Sequence, residues 1–186
     1  MDKDFTTSTA ILHNNERNNP KAIRNRIETV NLLGDNGVYL HGKVLDIGER
    51  NYFTEQLESF YEIKIYNTWG DLDESLNCPA FTFDFVHYNN VIEHQFNPLF
   101  TLLEIRKVMK PDGVLILGTP IKPNWITSAK CHFHEFDQYR FNKLIGRAGF
   151  SVIDKVHYWH DISFNGFRGI VGSFYTKQAV YLLKMI

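Results

Sequence analysis

Three short stretches of this sequence gather side chains that can move a proton or meet a charged ligand: Asp46-Ile47-Gly48, Glu93-His94 and His132-Phe133-His134-Glu135. Imidazole titrates near neutrality, so His94, His132 and His134 are candidate bases, and Glu93 can orient His94 or a substrate group. Alternate side chains of an extended segment share a side, which puts His132 and His134 together. Two histidines beside Glu135 and Asp137 are also metal-ligand types, but their spacing matches no defined site and no metal is expected. Ordinary roles stand beside these: Glu93 and His94 can cap the following helix, Asp46 can cap a strand end, and His157 and His160 read as structural.

The elements that position these residues are legible in the pattern. Lys43 to Gly48 is a strand ending in an acid and a glycine, Phe53 to Phe60 is helical, and Ile63 to Tyr66 is extended again. Phe83, Phe85 and Val86 open a second unit. Asn97-Pro98 supplies an N-cap with proline at the first helical position, and Leu99, Leu102, Leu103 and Val108 recur at helical spacing. Lys110-Pro111-Asp112-Gly113 predicts a helix stop and a turn before the buried strand Val114 to Leu117. Both units are β-α-β, hence a parallel sheet. Before them, Pro20 to Gly34 predicts a helix with Ile23, Ile27, Val30 and Leu33 on its apolar face, covering the first sheet edge. After them come a loop with Trp125, a helix from about Gln138 to Ala148 capped by Asp137, and strands at Val152 to Tyr158 and Gln178 to Met185.

The chain has 186 residues, 44% apolar and 15% aromatic, enough for one filled core. Residues 20–186 are expected to form a single domain behind a polar, flexible arm at 1–19. Twenty basic against 21 acidic residues give no excess charge to attract a polyanion, which disfavours nucleic acid as partner. No apolar stretch reaches roughly 18 residues, there is no signal-peptide core, and Cys78 and Cys131 are the two thiols, so a cytoplasmic protein without a membrane span is expected.

Taken in order, four segments resemble the class I S-adenosylmethionine-dependent methyltransferases, in the small type 11-like branch that methylates metabolites, lipids and sugars. They are Val44 to Gly48; Phe83 to Val86 running to Val91-Ile92-Glu93-His94 and Asn97-Pro98; Lys110 to Val114 running to Thr119-Pro120; and His132 to Phe136 running to Ala148-Gly149-Phe150. The resemblance implies an α/β, Rossmann-like fold with a mostly parallel sheet flanked by helices, and S-adenosylmethionine as cofactor. By it, Asp46 meets the cofactor ammonium directly or through water, Gly48 lets the backbone close in, and Tyr88 and Asn89 face the methionine part. No Gly-x-Gly-x-x-Gly run is present, which argues against a dinucleotide.

Two departures from the family pattern shape the expectation. The glycine-rich loop is replaced after Gly48 by Glu49-Arg50-Asn51, where Arg50 either pairs the cofactor carboxylate or is a solvated surface charge. The acid that usually holds the ribose is missing from Ile65-Tyr66-Asn67-Thr68, leaving Asn67, Asp71 and Asp73 as stand-ins for ribose or adenine contact. Phe83 lies only 16 steps along the chain from Asn67, and a crossover alone takes roughly 10 to 12 residues. The outer third strand is therefore expected to be missing, giving six strands in the family order 2-1-4-5-7-6. The exposed second strand would be covered by the N-terminal arm or a second subunit, as in a homodimer.

The function this implies is methyl transfer to a small-molecule acceptor. A nucleic-acid amino-methyltransferase is disfavoured because Tyr88-Asn89-Asn90-Val91 stands where its Asn/Asp-Pro-Pro-aromatic signature would be. The rival from another class is a non-catalytic module that keeps the fold and binds a partner. The loop from Ile121 to Cys131 is left to shape an acceptor pocket, together with the aromatic stretch of Trp159, Phe164, Phe167, Phe174 and Tyr175, which can wall that pocket or a dimer contact, although most of these rings read as ordinary core.

Overall fold

The computed structural model describes residues 20–68, 71–121, 132–162 and 174–186. The arm at 1–19, the loop around Trp125 and the side chains of Trp159, His160, Phe164, Phe167, Phe174 and Tyr175 lie outside what is described. The chain runs α1 (Pro20–Asp35), β1 (Val44–Asp46), α2 (Tyr52–Tyr61), β2 (Ile65–Asn67), β3 (Phe83–Asn89), a 3-10 turn (Ile92–His94), α3 (Pro98–Val108), β4 (Met109–Ile121), α4 (Gln138–Arg147), β5 (Phe150–Ile162) and β6 (Phe174–Met185).

Helix starts follow from capping chemistry. The Asn51 side chain accepts from the Phe53 and Thr54 amides, Asn97 from Phe100 ahead of Pro98, and Asp137 from Arg140. Each cap satisfies amide donors that the first helical turn leaves orphaned.

The six strands form one sheet in the order β2-β1-β3-β4-β6-β5. The first four are parallel, and β6 runs antiparallel to both its neighbours. This is the expected Rossmann-like order. Among the described residues, no strand lies between Asn67 and Phe83.

Strand alternation divides the core into two layers. On one face Leu45, Val86, Tyr88, Leu115, Leu117 and Tyr181 pack with Leu102 and Ile105 of α3 and Phe141 and Ile145 of α4. On the other, Val44, Ile65, Phe85, Ile116, Val180 and Leu182 pack with Leu32 and Leu33 of α1 and Phe53 and Leu57 of α2. Burying each such side chain stabilises the fold by about 1.5–3 kcal/mol.

Two expectations need correction. Helix α1 packs on β5 and β6, away from the β2 edge. The long β5–β6 hairpin presents Val156, Tyr158, Val180 and Leu182, an apolar surface that demands a cover. The face predicted for α1 is also rotated: Ile23 and Ile27 are 40% and 53% exposed, while Asn25, Arg26 and Thr29 are buried beside Leu32 and Leu33. The second correction concerns Lys110 to Gly113, which lies within β4. Helix α3 already ends at Val108, and the register jumps from Phe83–Met109 to Phe85–Val114, so this stretch is a bulge in the ladder.

Asp84 ties that bulge to the chain entering β1. Its Oδ1 accepts from Lys110 Nζ at 2.6 Å and its Oδ2 from the Lys43 amide at 2.9 Å. Burial works to raise the carboxyl pKa, and the bonds from Lys110 and Lys43 outweigh it and hold the group below its ordinary value. A pKa lowered by folding stabilises above the unfolded value, and that contribution is lost as pH falls through the folded one. Urea midpoints measured between about pH 7 and about pH 3 should therefore fall less steeply in Lys110→Met than in the parent chain.

Candidate functional site

The carboxyl ends of β1, β2 and β3 bring one acid into the middle of a polar row. In register, Asp46 stands opposite Asn67 of β2 and His87 of β3, so their side chains emerge on one face of the sheet. Asp46 Oδ1 lies 2.7 Å from His87 Nδ1, and Oδ2 accepts from Thr54 Oγ1 of α2 at 2.6 Å and from Asn67 Nδ2 at 3.3 Å. Only 5% of Asp46 is exposed. An isolated carboxylate there would be costly, and these donors are what make its burial tolerable. Phe53 adds an edge contact to the His87 ring, centroids 5.2 Å apart.

Gly48 turns the chain out of β1 with φ +123°, a conformation that favours glycine. Its amide donates to Thr68 Oγ1 at 2.7 Å, and its carbonyl accepts from Asn67 Nδ2 at 3.2 Å. A Cβ built at Gly48 meets nothing within 4 Å, so the space beside this backbone is open. Arg50 turns onto α2 and pairs with Glu58, whose pKa is lowered by that bond. Asp71 is exposed, and its Oδ1 accepts from the Asp73 amide at 2.9 Å. Asp73 faces the chain before α3, where its carboxylate accepts from the Phe96 and Asn97 amides at 2.9 and 2.8 Å.

At the end of β3 the two neighbouring positions part company. Tyr88 is wholly buried in the layer under α3, and burial pushes its phenol pKa well up, so its ring packs the core and presents no surface to a ligand. Asn89 instead exchanges amide hydrogen bonds with Asn25 of α1, 2.8 Å and 3.3 Å, and Asn90 accepts from Gln178 of β6 at 2.6 Å. A Cβ at Gly118 would sit 1.8 Å from Asn89 Oδ1. Gly118→Ala should therefore destabilise the protein by about 1–3 kcal/mol in thermal melts, by overpacking, and adding Asn89→Ala should recover part of the loss.

A second group of chemistry-bearing side chains lies just beyond. Glu93, 2% exposed, accepts from Thr119 Oγ1 of β4 at 3.2 Å. Its carbonyl accepts from the Phe133 and His134 amides at 2.9 and 3.1 Å, which docks the 132–136 segment against the 3-10 turn. The rings of His94 and His132 meet edge to face with centroids 4.9 Å apart. His132 Nδ1 lies 3.2 Å from Glu135 Oε1, and His134 Nε2 lies 3.2 Å from the Phe96 carbonyl oxygen. The structure thus unites His94 with His132 and sets His134 aside onto the α3 approach.

Sequence reasoning passed over His87 and Thr54, which hold Asp46, and Asn25, which holds Asn89. His87 comes opposite Asp46 only through the register of the two strands, because β3 runs two residues past the end of β1. A hollow of about 680 Å³ between α1 and α2, lined by Arg26, Ile27, Val30, Phe53 and Phe60 among others, lies in the helical layer on this face. Arg26 reaches over the Tyr52 and Phe53 rings there at 5.3 and 5.8 Å.

The sequence profile of the family described as methyltransferase domain matches residues 24–181, and the chain belongs to that family. No curated protein sequence matches it. Among solved structures, it is similar to a SAM-dependent methyltransferase from Aquifex aeolicus, with TM-score 0.60, 15% identity, and 84% of this chain and 89% of that one covered. A SAM-dependent methyltransferase from Leishmania major aligns with TM-score 0.60 and 8% identity over 86% of this chain and 71% of that one. The 1,6-didemethyltoxoflavin-N1-methyltransferase of Burkholderia thailandensis, solved with 1,6-didemethyltoxoflavin and S-adenosylhomocysteine, aligns with TM-score 0.54 and 17% identity over 84% and 76%. At these identities the likeness is one of fold. No helix among the described residues is long and apolar enough to cross a membrane.

Proposed function

We propose that the protein is an S-adenosylmethionine-dependent methyltransferase acting on a small-molecule acceptor. The observation that carries this is the buried Asp46 carboxylate at the β1 tip, in register between Asn67 and His87, with open space beside Gly48. A sulfonium nucleoside brings an ammonium, a ribose and an adenine but no phosphate, and these groups call for an acid and close backbone approach without a phosphate-binding glycine loop. The residues present fit that demand: Asp46 for the ammonium, directly or through water, the Gly48 backbone for approach, and the Asn67 amide for the ribose.

When bound, the cofactor supplies an electrophilic methyl group on sulfur. The chain's own part is to align the acceptor, exclude water and take up a proton if the acceptor is a hydroxyl. His94 and His132, with Glu93 beside them, are the groups we assign to the acceptor, whereas His134 sits against the Phe96 carbonyl on the approach to α3. Asp71 and Arg50 belong to the rim, where Arg50 must release Glu58 to reach a carboxylate. Asp73 and Asn89 position the neighbouring segments.

One observation favours the rival reading of a non-catalytic module: both Asp46 oxygens already have donors within the protein. Crystals grown with S-adenosylhomocysteine separate the two. Ligand density over the β1 and β3 ends, in contact with Gly48, is expected; density absent at saturating ligand would leave the module reading.

A further inference from the structure

We propose that Glu93, His94 and His132 form a binding site for a divalent transition-metal ion. One ligand-type atom from each lies within 4.8 Å of the other two, although the residues come from two segments of the chain. A tetrahedral ion with ligands about 2.1 Å away holds them about 3.4 Å apart, so modest side-chain rotation closes the set. Two imidazoles and one carboxylate are the donors that zinc, cobalt and iron take, and three protein ligands leave a position open.

Three features show a site prepared for such an ion. Glu93 is nearly inaccessible, and a buried carboxylate is stabilised by a cation beside it. Thr119 orients its Oε2 through the 3.2 Å hydrogen bond. Glu135 accepts from His132 Nδ1, which fixes the ring and places the lone pair on Nε2, the outer-shell arrangement usual for a ligating histidine. The set was missed in the sequence because His132 was grouped with His134 and Glu135 by proximity, whereas docking of the 132–136 segment on the Glu93 carbonyl carries His132 to the 3-10 turn. Resting on the reading above, the ion's open position faces the acceptor, which makes the acceptor an oxygen ligand such as a hydroxyl; with the ion bound, His94 and His132 spend their lone pairs on it and take up no proton, and the ion itself would ease ionisation of that hydroxyl.

The test is to strip the full-length protein with a chelator, titrate it with Co(II) and follow the visible d–d bands, alongside calorimetry with Zn(II). Stoichiometric binding with intense tetrahedral or five-coordinate bands is expected, abolished by His94→Ala and by His132→Ala and unchanged in His134→Ala. Glu93→Gln provides a same-shape variant of the buried ligand, and Glu135→Gln should weaken binding by roughly 10- to 100-fold. Acetohydroxamate, a bidentate oxygen ligand, should shift the bands; bands that do not move would overturn the open position. Weak binding that persists unchanged in His94→Ala and His132→Ala would overturn the site itself. Binding of S-adenosylhomocysteine is measured separately, so its failure removes the cofactor reading and leaves the ion site standing.

Discussion

Asp46→Ala is expected to lower stability and to abolish binding of S-adenosylhomocysteine together. The substitution removes the acceptor of three donors, Thr54 Oγ1, His87 and Asn67 Nδ2, of which Thr54 and His87 are buried. Each buried polar group left without its partner costs about 1–3 kcal/mol, and the loss here should total about 2–5 kcal/mol because neighbouring effects do not simply add. A domain of ordinary stability has about 5–15 kcal/mol in hand, so the variant folds and the binding result can be read. Thr54→Val is the companion variant. It deletes one donor only, so it should lose about 1 kcal/mol and retain the cofactor. Denaturant titration gives the first quantity and calorimetry the second; an Asp46→Ala protein that binds as well as its parent would take this residue out of the site.

Phe141→Ala should be among the most destabilising single changes in the chain. The ring is wholly buried on α4, with centroids 5.0 Å from Phe136 and 5.3 Å from Tyr181. Truncating a buried phenylalanine costs about 3–5 kcal/mol, the transfer term plus the cavity it leaves. Phe136 also makes an isolated bridge to Ile121 at the end of β4, and it follows His132 to Glu135 directly. Removing Phe141 therefore loosens the support of that segment. Phe141→Leu keeps most of the volume and should recover over half of the loss in urea titrations.

Local chemistry made much of the fold legible. Asn97-Pro98 and Asp137 start helices where side-chain capping requires it, and the spacing between Asn67 and Phe83 is too short for another helix and strand. Local chemistry failed where distant partners decide. The Lys110 to Gly113 stretch has turn residues, yet pairing with β3 absorbs it as a bulge. Periodicity selected Ile23 and Ile27 on α1, but amide exchange with Asn89 turns Asn25 inward and leaves those isoleucines outside. The same limit applies to the candidate site. Asp46 was visible as an acid at a strand end and Glu93 as one where a strand opens into a helix, while their partners His87, Thr54 and Thr119 come from other elements, brought close by sheet register and helix packing.

Calorimetric titration of the full-length chain with S-adenosylhomocysteine tests the reading most directly. Saturable heat at one site per chain with micromolar affinity, lost in Asp46→Ala, is the predicted result. A folded protein that gives no heat with either S-adenosylhomocysteine or S-adenosylmethionine would contradict it.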